Sequence, residues 1–378
     1  MWQDEITAAV LSRQEVSRYL RGGGGETARQ AAQRVHGYLH ELRTTQRYRM
    51  YRALQHPLYP ILRKIDRRQE HVERAQAAVG AGRRVIYASN HKSHLDYLVQ
   101  PIVLDDHRVR PPVIAAGINL FGGPLGCLHR HVTGAIPIRR EMRDPAYLAT
   151  LKAYVSEVLR RHDLFLYPEG GRSYSGELKP FKTGLLHAAA QARRADAVVV
   201  PVAVAYDFVL EDAVLARQRV KRRQRPFALE VAEMARCAVG YQSRAVVSFG
   251  APIPLGACDP DCRRSMVQLA RRLRSEIGRL GKVLPAALVA AAMRPSLGRR
   301  ELEERIDQLL EILRLTGANL DVRTGREALD AAAEPLAMRG IIVIQGDRHR
   351  IRQRGVLRYY SRSIHHLLHD RGRSALTH

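Results

Sequence analysis

The sequence predicts an α/β fold: a mixed sheet flanked by helices, with an N-terminal helical region and a small, mostly helical C-terminal region. Two observations carry this. From residue 85 to about 255, short apolar runs alternate with segments whose apolar residues recur at helical spacing, the pattern of a layered sheet-and-helix domain. Outside that stretch the helical period dominates, and 378 residues suffice for one large core with smaller additions. The expected division is 1–80, helical; 81–280, the α/β domain; and 281–378, helical with a winged hairpin.

The first apolar face is Trp2, Ile6, Ala9, Val10 and Tyr19, closed by the glycine run 22–25; a second helix over 26–48 carries Ala32, Val35, Leu39 and Leu42. A further helix is expected over 51–76, interrupted at Tyr59-Pro60. The arginines and aromatics over 48–59 suit a membrane interface and equally suit packing on the main domain. Strands are expected at 85–88, 113–116, 135–138, 164–167, 197–205, 228–231 and 245–249, with helices after Leu95 and over 145–161 and 183–194. Pro201, inside the longest strand, implies an edge or a local bend. Helices follow over 259–279 and 324–339, then a two-stranded hairpin over 341–352 around Gln345-Gly346-Asp347. Arg348, Arg350 and Arg352 alternate along it, which fits a winged-helix DNA reader and also the solvent face of any edge hairpin.

The net charge of +25 predicts an anionic partner: nucleic acid, anionic lipid or phosphorylated small molecules. The basic run from Arg217 to Arg225 repels itself unless an anion sits nearby. The apolar runs 197–206 and 283–293 are too short to span a bilayer, so membrane contact is expected at the surface. No secretory signal is read in Met1-Trp2-Gln3-Asp4-Glu5, and Cys127, Cys237, Cys258 and Cys262 lack metal-site spacing, which together predict reduced thiols in a cytoplasmic compartment. His91, His94, His129 and His131 have no carboxylate or cysteine completing a familiar spacing, and no metal is expected.

Polar stretches that each follow a strand-like run carry the chemistry. In Asn90-His91-Lys92-Ser93-His94-Leu95-Asp96, His91 and Asp96 are too far apart to stack on one helix. At a turn that opens a helix, however, the carboxylate can fold back onto the imidazole and hold a general base in one tautomer; the plain alternative is an accidental pair. Gly134 to Arg140 ends a second strand with adjacent arginines, whose forked donors suit a phosphate if one of them faces inward. Pro168-Glu169-Gly170-Gly171-Arg172-Ser173 makes a tight loop, and Arg172 and Lys182 beside the following helix start form an anion site. Val200-Pro201-Val202 with Tyr206-Asp207 is mainly a core strand.

These stretches, in this order, resemble the sequence blocks of the glycerolipid acyltransferases: the His-x4-Asp block at His91–Asp96, the second at Gly134–Arg140, the third at Pro168–Ser173 and the fourth at Val200–Asp207. The glycine pair, with Val356-Leu357-Arg358-Tyr359-Tyr360 and Ile364-His365-His366-Leu367, is most similar to the bacterial membrane glycerol-3-phosphate acyltransferases. Ile136-Pro137 stands where the second block usually carries aromatics, and Tyr174 where the third usually carries a basic residue. The resemblance implies the glycerolipid acyltransferase fold and transfer of a fatty acyl group from acyl-CoA or acyl carrier protein to the 1-hydroxyl of glycerol 3-phosphate, with lysophosphatidate or dihydroxyacetone phosphate as rival acceptors. It implies His91 as base and Asp96 as its orienter. Arg139, Arg140, Arg172 and Lys182 are expected on the acceptor phosphate, Glu169 orients basic groups or acceptor hydroxyls, Ser173 contacts the acceptor, and Gly170 and Gly171 shape the loop. No cofactor and no nucleic acid are implied, and the expected location is the cytoplasmic face of the cell membrane, held peripherally to an anionic surface.

Overall fold

The structure is a computed structural model that describes residues 2–22, 26–47, 50, 65–121, 134–139, 142–218 and 243–369. Helices α1 (Trp2–Ser12) and α2 (Ala28–Leu42) precede strand β1 (Ile65–Glu70). There follow β2 (Arg84–Ser89), α3 (Asp96–Asp106), β3 (Val113–Gly117), β4 (Ala135–Ile138), α4 (Pro145–Leu159), β5 (Leu164–Leu166), α5 (Gly184–Ala190) and β6 (Ala197–Tyr206). Strands β7 (Ser243–Phe249) and β8 (Ile253–Pro254) then lead into α6 (Arg263–Leu280). The C-terminal part is α7 (Pro285–Ala292), β9 (Ser296–Gly298), α8 (Arg299–Leu315), α9 (Gly325–Met338), β10 (Ile342–Gln345), β11 (Arg348–Ile351), α10 (Arg354–Ser363) and α11 (His365–His369).

The eight-stranded sheet has the order β1-β7-β6-β2-β5-β3-β4, with β8 also pairing β6. Strands β6, β2, β5, β3 and β4 run parallel, β7 and β8 run antiparallel to β6, and β1 lies parallel to β7. Both faces are covered, which is why β6 reads as a continuous apolar run. Val85 and Tyr87 of β2 and Val200, Val202 and Val204 of β6 point to the face packed by α3 and the C-terminal helices. Ile86, Ala88 and Val199 point to the other face, under α4 and the N-terminal helices that bring Ile6, Val10, Val35 and Leu39. Each valine, leucine or isoleucine among them, fully buried, contributes about 1.5–3 kcal/mol. Pro201 sits where the partner of β6 changes from β8, at Val198–Val199, to β7, from Val202 onward. A residue without an N–H falls in the gap between two ladders, so the expected local irregularity has its cause.

The helix expected over 51–76 is corrected in its second half: residues 65–70 are β1, in register with Ser243–Ser248 of β7. Ile65-Asp66-Arg67-Arg68-Gln69-Glu70 is charged and has little strand propensity. As an edge strand it needs only one ladder and tolerates charge. The sheet therefore starts before residue 81, and the apolar cluster on one of its faces continues to Leu367. The expected hairpin forms as β10–β11 and gains an unforeseen third strand, β9. The strand expected at 228–231 lies outside the described residues, as do 219–225 of the basic run, His129, His131, and 48–59 apart from Met50. Among the described residues no helix is long and apolar enough to cross a membrane.

One close approach ties the C-terminal helices to the loop after β5. Gly176 has φ +86°, and a Cβ there would lie 1.9 Å from the carbonyl oxygen of Tyr359 in α10. Gly176→Ala is expected to cost about 2–5 kcal/mol, the left-handed backbone penalty plus overpacking. Gly82→Ala, at φ +69° with open space around it, should cost only the backbone part, about 1–2 kcal/mol. Urea unfolding of both variants checks the difference.

Candidate active site

The segment between β2 and α3 is shaped by three side chains. Asn90 pairs with both backbone groups of Val204 in β6, accepting its N–H at 2.8 Å and donating to its carbonyl at 2.9 Å. Asp96, the first residue of α3, is fully buried. Its Oδ2 accepts the backbone amides of Lys92 (2.6 Å) and Ser93 (3.0 Å) and lies 2.8 Å from His91 Nδ1. Its Oδ1 accepts the Tyr206 hydroxyl at 2.7 Å. Glu211 accepts the Ser93 hydroxyl on both oxygens and the His94 amide at 2.7 Å. The loop is thus wrapped around two buried carboxylates, and the His91 ring can take one orientation only, with Nε2 on the side away from Asp96. The ring also stacks on Tyr167, centroids 4.4 Å apart. Burial beside Asp96 pushes the Tyr167 and Tyr206 phenols well above their ordinary range.

The loop after β5 is stitched to this segment through the backbone of His91. Its amide donates to Glu169 Oε1 at 2.8 Å, and its carbonyl accepts the Ser173 amide at 2.9 Å. The second oxygen of Glu169 accepts the Lys179 amide. Burial raises the Glu169 carboxyl above its usual range, against the pull of Lys92 and the backbone donors. The Lys92 ammonium donates to the Gly176 carbonyl, and that of Lys179 to the carbonyls of Gly171 and Arg172. Gly170, at φ +71°, is where the chain reverses; a Cβ there would meet the end of Lys182 at 3.0 Å.

A cleft of about 70 Å³ opens beside the imidazole, lined among others by His91, Tyr97, Ile138, Gly170, Gly171 and Leu185. The predicted residues fall into three groups. His91, Gly170 and Gly171 line the cleft; Asp96 stands behind the imidazole, and the exposed Lys182 lies across Gly170. Arg139 follows Ile138 at the rim and is exposed, gripped by Glu41 of α2 through two hydrogen bonds. The remaining described residues face inward. Ser173 gives its hydroxyl to the Glu177 carbonyl instead of presenting it to the cleft, and Glu169 has both oxygens on backbone amides instead of on basic side chains. Arg172 is buried, 3.5 Å from Glu211 and over the Tyr174 ring. Arg140 lies outside the described residues. Tyr206, Tyr167, Glu211 and Lys92 were not foreseen as site residues; Tyr206 reaches Asp96 across 110 positions of sequence, which no local pattern reveals.

Lys92 is buried, and loss of hydration pushes its ammonium below the ordinary 10.5 although Glu169, Asp96 and Glu177 pull the other way. Between the folded and unfolded values the unfolded chain holds more protons, so this residue makes stability rise with pH through that window. Urea midpoints measured up to pH 10.5 should show that rise in the native chain relative to Lys92→Met, in which it disappears.

Residues 65–205 match the family model described as Acyltransferase. Among curated proteins, the chain is similar to the glycerol-3-phosphate acyltransferase of Aeromonas hydrophila subsp. hydrophila, at 30% identity over 77% of this chain and 39% of that protein. It is similar to the glycerol-3-phosphate acyltransferase of Shewanella loihica at 30% identity over 62% of this chain and 32% of that protein. The chain therefore spans less than half the length of these relatives. Among solved structures, the 1-acyl-sn-glycerophosphate acyltransferase PlsC from Thermotoga maritima is similar over 73% of this chain and 87% of that one, at 14% identity and a TM-score of 0.37. The stretch that matches the Acyltransferase family model, residues 65–205, holds the His91–Asp96 pair, the cleft and the loop stitched beside it.

Proposed function

We propose that the chain is an O-acyltransferase that moves a fatty acyl group from a thioester, acyl-CoA or acyl carrier protein, to the 1-hydroxyl of glycerol 3-phosphate, forming lysophosphatidate for phospholipid synthesis. The observation that carries this is a buried Asp96 holding Nδ1 of His91 at 2.8 Å while the ring lines a cleft. The glycerol-3-phosphate acyltransferase names of two relatives support the acceptor.

In this reading His91 Nε2 takes the proton of the acceptor hydroxyl as its oxygen attacks the thioester carbon. Asp96 keeps the imidazole in the tautomer with a bare Nε2 and stabilises the imidazolium that forms. The carbonyl oxygen gains negative charge, the carbon–sulfur bond then breaks, and the thiolate leaves with the proton returned by His91. The attacking oxygen is the substrate's own, so no enzyme nucleophile and no cofactor enter. Lys182, which lies across Gly170, and Arg139, next to the cleft-lining Ile138, serve the acceptor phosphate, with Arg140 as a further candidate. Arg172 and Glu169 act from behind by fixing the loop. The catalytic unit is the α/β part, begun at β1 and not at residue 81, and the surplus of positive charge holds the protein peripherally on an anionic membrane surface, at the cytoplasmic face.

Purified chain offered labelled acyl-CoA or acyl carrier protein against glycerol 3-phosphate, lysophosphatidate and dihydroxyacetone phosphate tests the assignment. Turnover is expected with glycerol 3-phosphate; its absence with both donors ends the specific reading. His91→Ala and Asp96→Asn should lower kcat about 10²–10⁴-fold with the circular dichroism spectrum unchanged. Arg139→Ala should mainly raise KM for glycerol 3-phosphate. Full activity in His91→Ala contradicts the mechanism.

A further inference from the structure

A second concavity lies across the 178–183 segment from the cleft. Lys182 turns toward Gly170 on the cleft side, while Leu178, Pro180, Phe181 and Thr183 line a groove of about 890 Å³ on the other. Its opposite wall is one face of α6, where Val267, Arg271, Arg274 and Gly278 recur at three- and four-residue steps. Arg274 holds the segment in place, donating to the carbonyls of Leu178 at 2.9 Å and Lys179 at 3.2 Å. Arg271 and Arg279 are exposed, and no carboxylate is among the described residues that line the groove.

The groove does not end at the surface. Leu178, Gly278, His366 and Leu367 line both it and an inner cavity of about 60 Å³, whose walls include Val209, Ile277, Leu284 and Ile364 together with Lys282 and Ser363. The inner end turns polar at Lys92 and Tyr206, on the opposite side of the His91 segment from the cleft. A cationic rim, an apolar floor and an apolar extension inward are complementary to one kind of molecule. We propose that this groove binds a single-chain anionic amphiphile, a long-chain phosphate monoester, with its phosphate at Arg271 and Arg279 and its chain along Leu178, Phe181 and Leu367 toward the cavity. Free phosphate would leave the apolar floor uncovered, and a neutral amphiphile would leave the arginines without a counter-charge. Lys92 and Tyr206 set where the chain must stop. The site is separate from the cleft and does not rest on the proposed reaction.

Calorimetric titration of the full chain with dodecyl phosphate, below its micelle concentration, tests this. Binding should be at least about a hundredfold tighter than that of butyl phosphate, because buried methylenes contribute. It should be clearly tighter than that of dodecyl maltoside, and about tenfold or more weaker in Arg271→Ala/Arg279→Ala, both exposed positions where folding is safe. Saturating glycerol 3-phosphate, or the His91→Ala substitution, should leave the affinity unchanged. Equal affinity for butyl phosphate would mean a free-phosphate site, and equal affinity for dodecyl maltoside a plain apolar groove. Indifference to the arginine substitutions, or displacement by glycerol 3-phosphate, would place the ligand elsewhere. Any of these four results overturns the proposal.

Discussion

A carboxylate with no access to water stands behind the imidazole. Asp96 takes donors from His91, Tyr206 and the amides of Lys92 and Ser93, and none of these donors is a lysine or arginine side chain. A buried charge without such partners costs several kcal/mol, so the conformation of residues 91–96 is fixed by the need to supply them. Two amides reach the carboxylate only if the chain turns tightly at the start of α3, and that turn brings His91 Nδ1 within reach. The His91–Asp96 geometry and the satisfaction of the carboxylate are one requirement.

The same logic extends outward. Glu169 and Glu211 are further buried carboxylates, each accepting backbone amides from the His91–His94 segment. Lys92 caps a carbonyl of the facing loop, Lys179 caps two carbonyls of its own loop, and Arg172 pairs with Glu211. Residues with charged side chains here hold the two loops that follow the central strands β2 and β5 in fixed register, as a site needs whose reacting groups must be placed to within a fraction of an ångström. Tyr359 over Gly176 makes the C-terminal helices part of that scaffold.

What could be read from the chain beforehand follows from range. Strands β2 to β7 are apolar runs bounded by turn residues, and their signal is local; β4 at Ala135–Ile138 was expected with the same bounds. The His91–Asp96 pair was legible because five residues fall within one turn and a helix start. Strand β1 was not, since Asp66, Arg67 and Arg68 are polar and only pairing with β7, far along the chain, makes them a strand. Tyr206 and Glu211 were missed for the same reason: their partners lie more than a hundred residues away. Ser173 and Arg172 were expected on the acceptor and Glu169 on basic groups or acceptor hydroxyls; the partners they have in the fold, the Glu177 carbonyl, Glu211 and two backbone amides, are set by which side of the loop each side chain takes, and residue type does not give that.

Direction also decides which arginine can answer an incoming phosphate. Arg172 and Glu211 are both almost fully buried, and taking one partner from such a pair costs about 3–5 kcal/mol because the other charge is left stranded. Arg139 is held by Glu41 as well, but its side chain is 42% exposed and that of Glu41 16%, so parting this pair costs less than parting one with both members buried. A phosphate dianion offers forked acceptors of its own, so exchanging Glu41 for it sacrifices little, whereas drawing Arg172 out would unmake the loop around Ser93 and His94. On the proposed reaction, then, the inner arginine keeps the scaffold and the outer one, with Lys182, is left to meet the substrate.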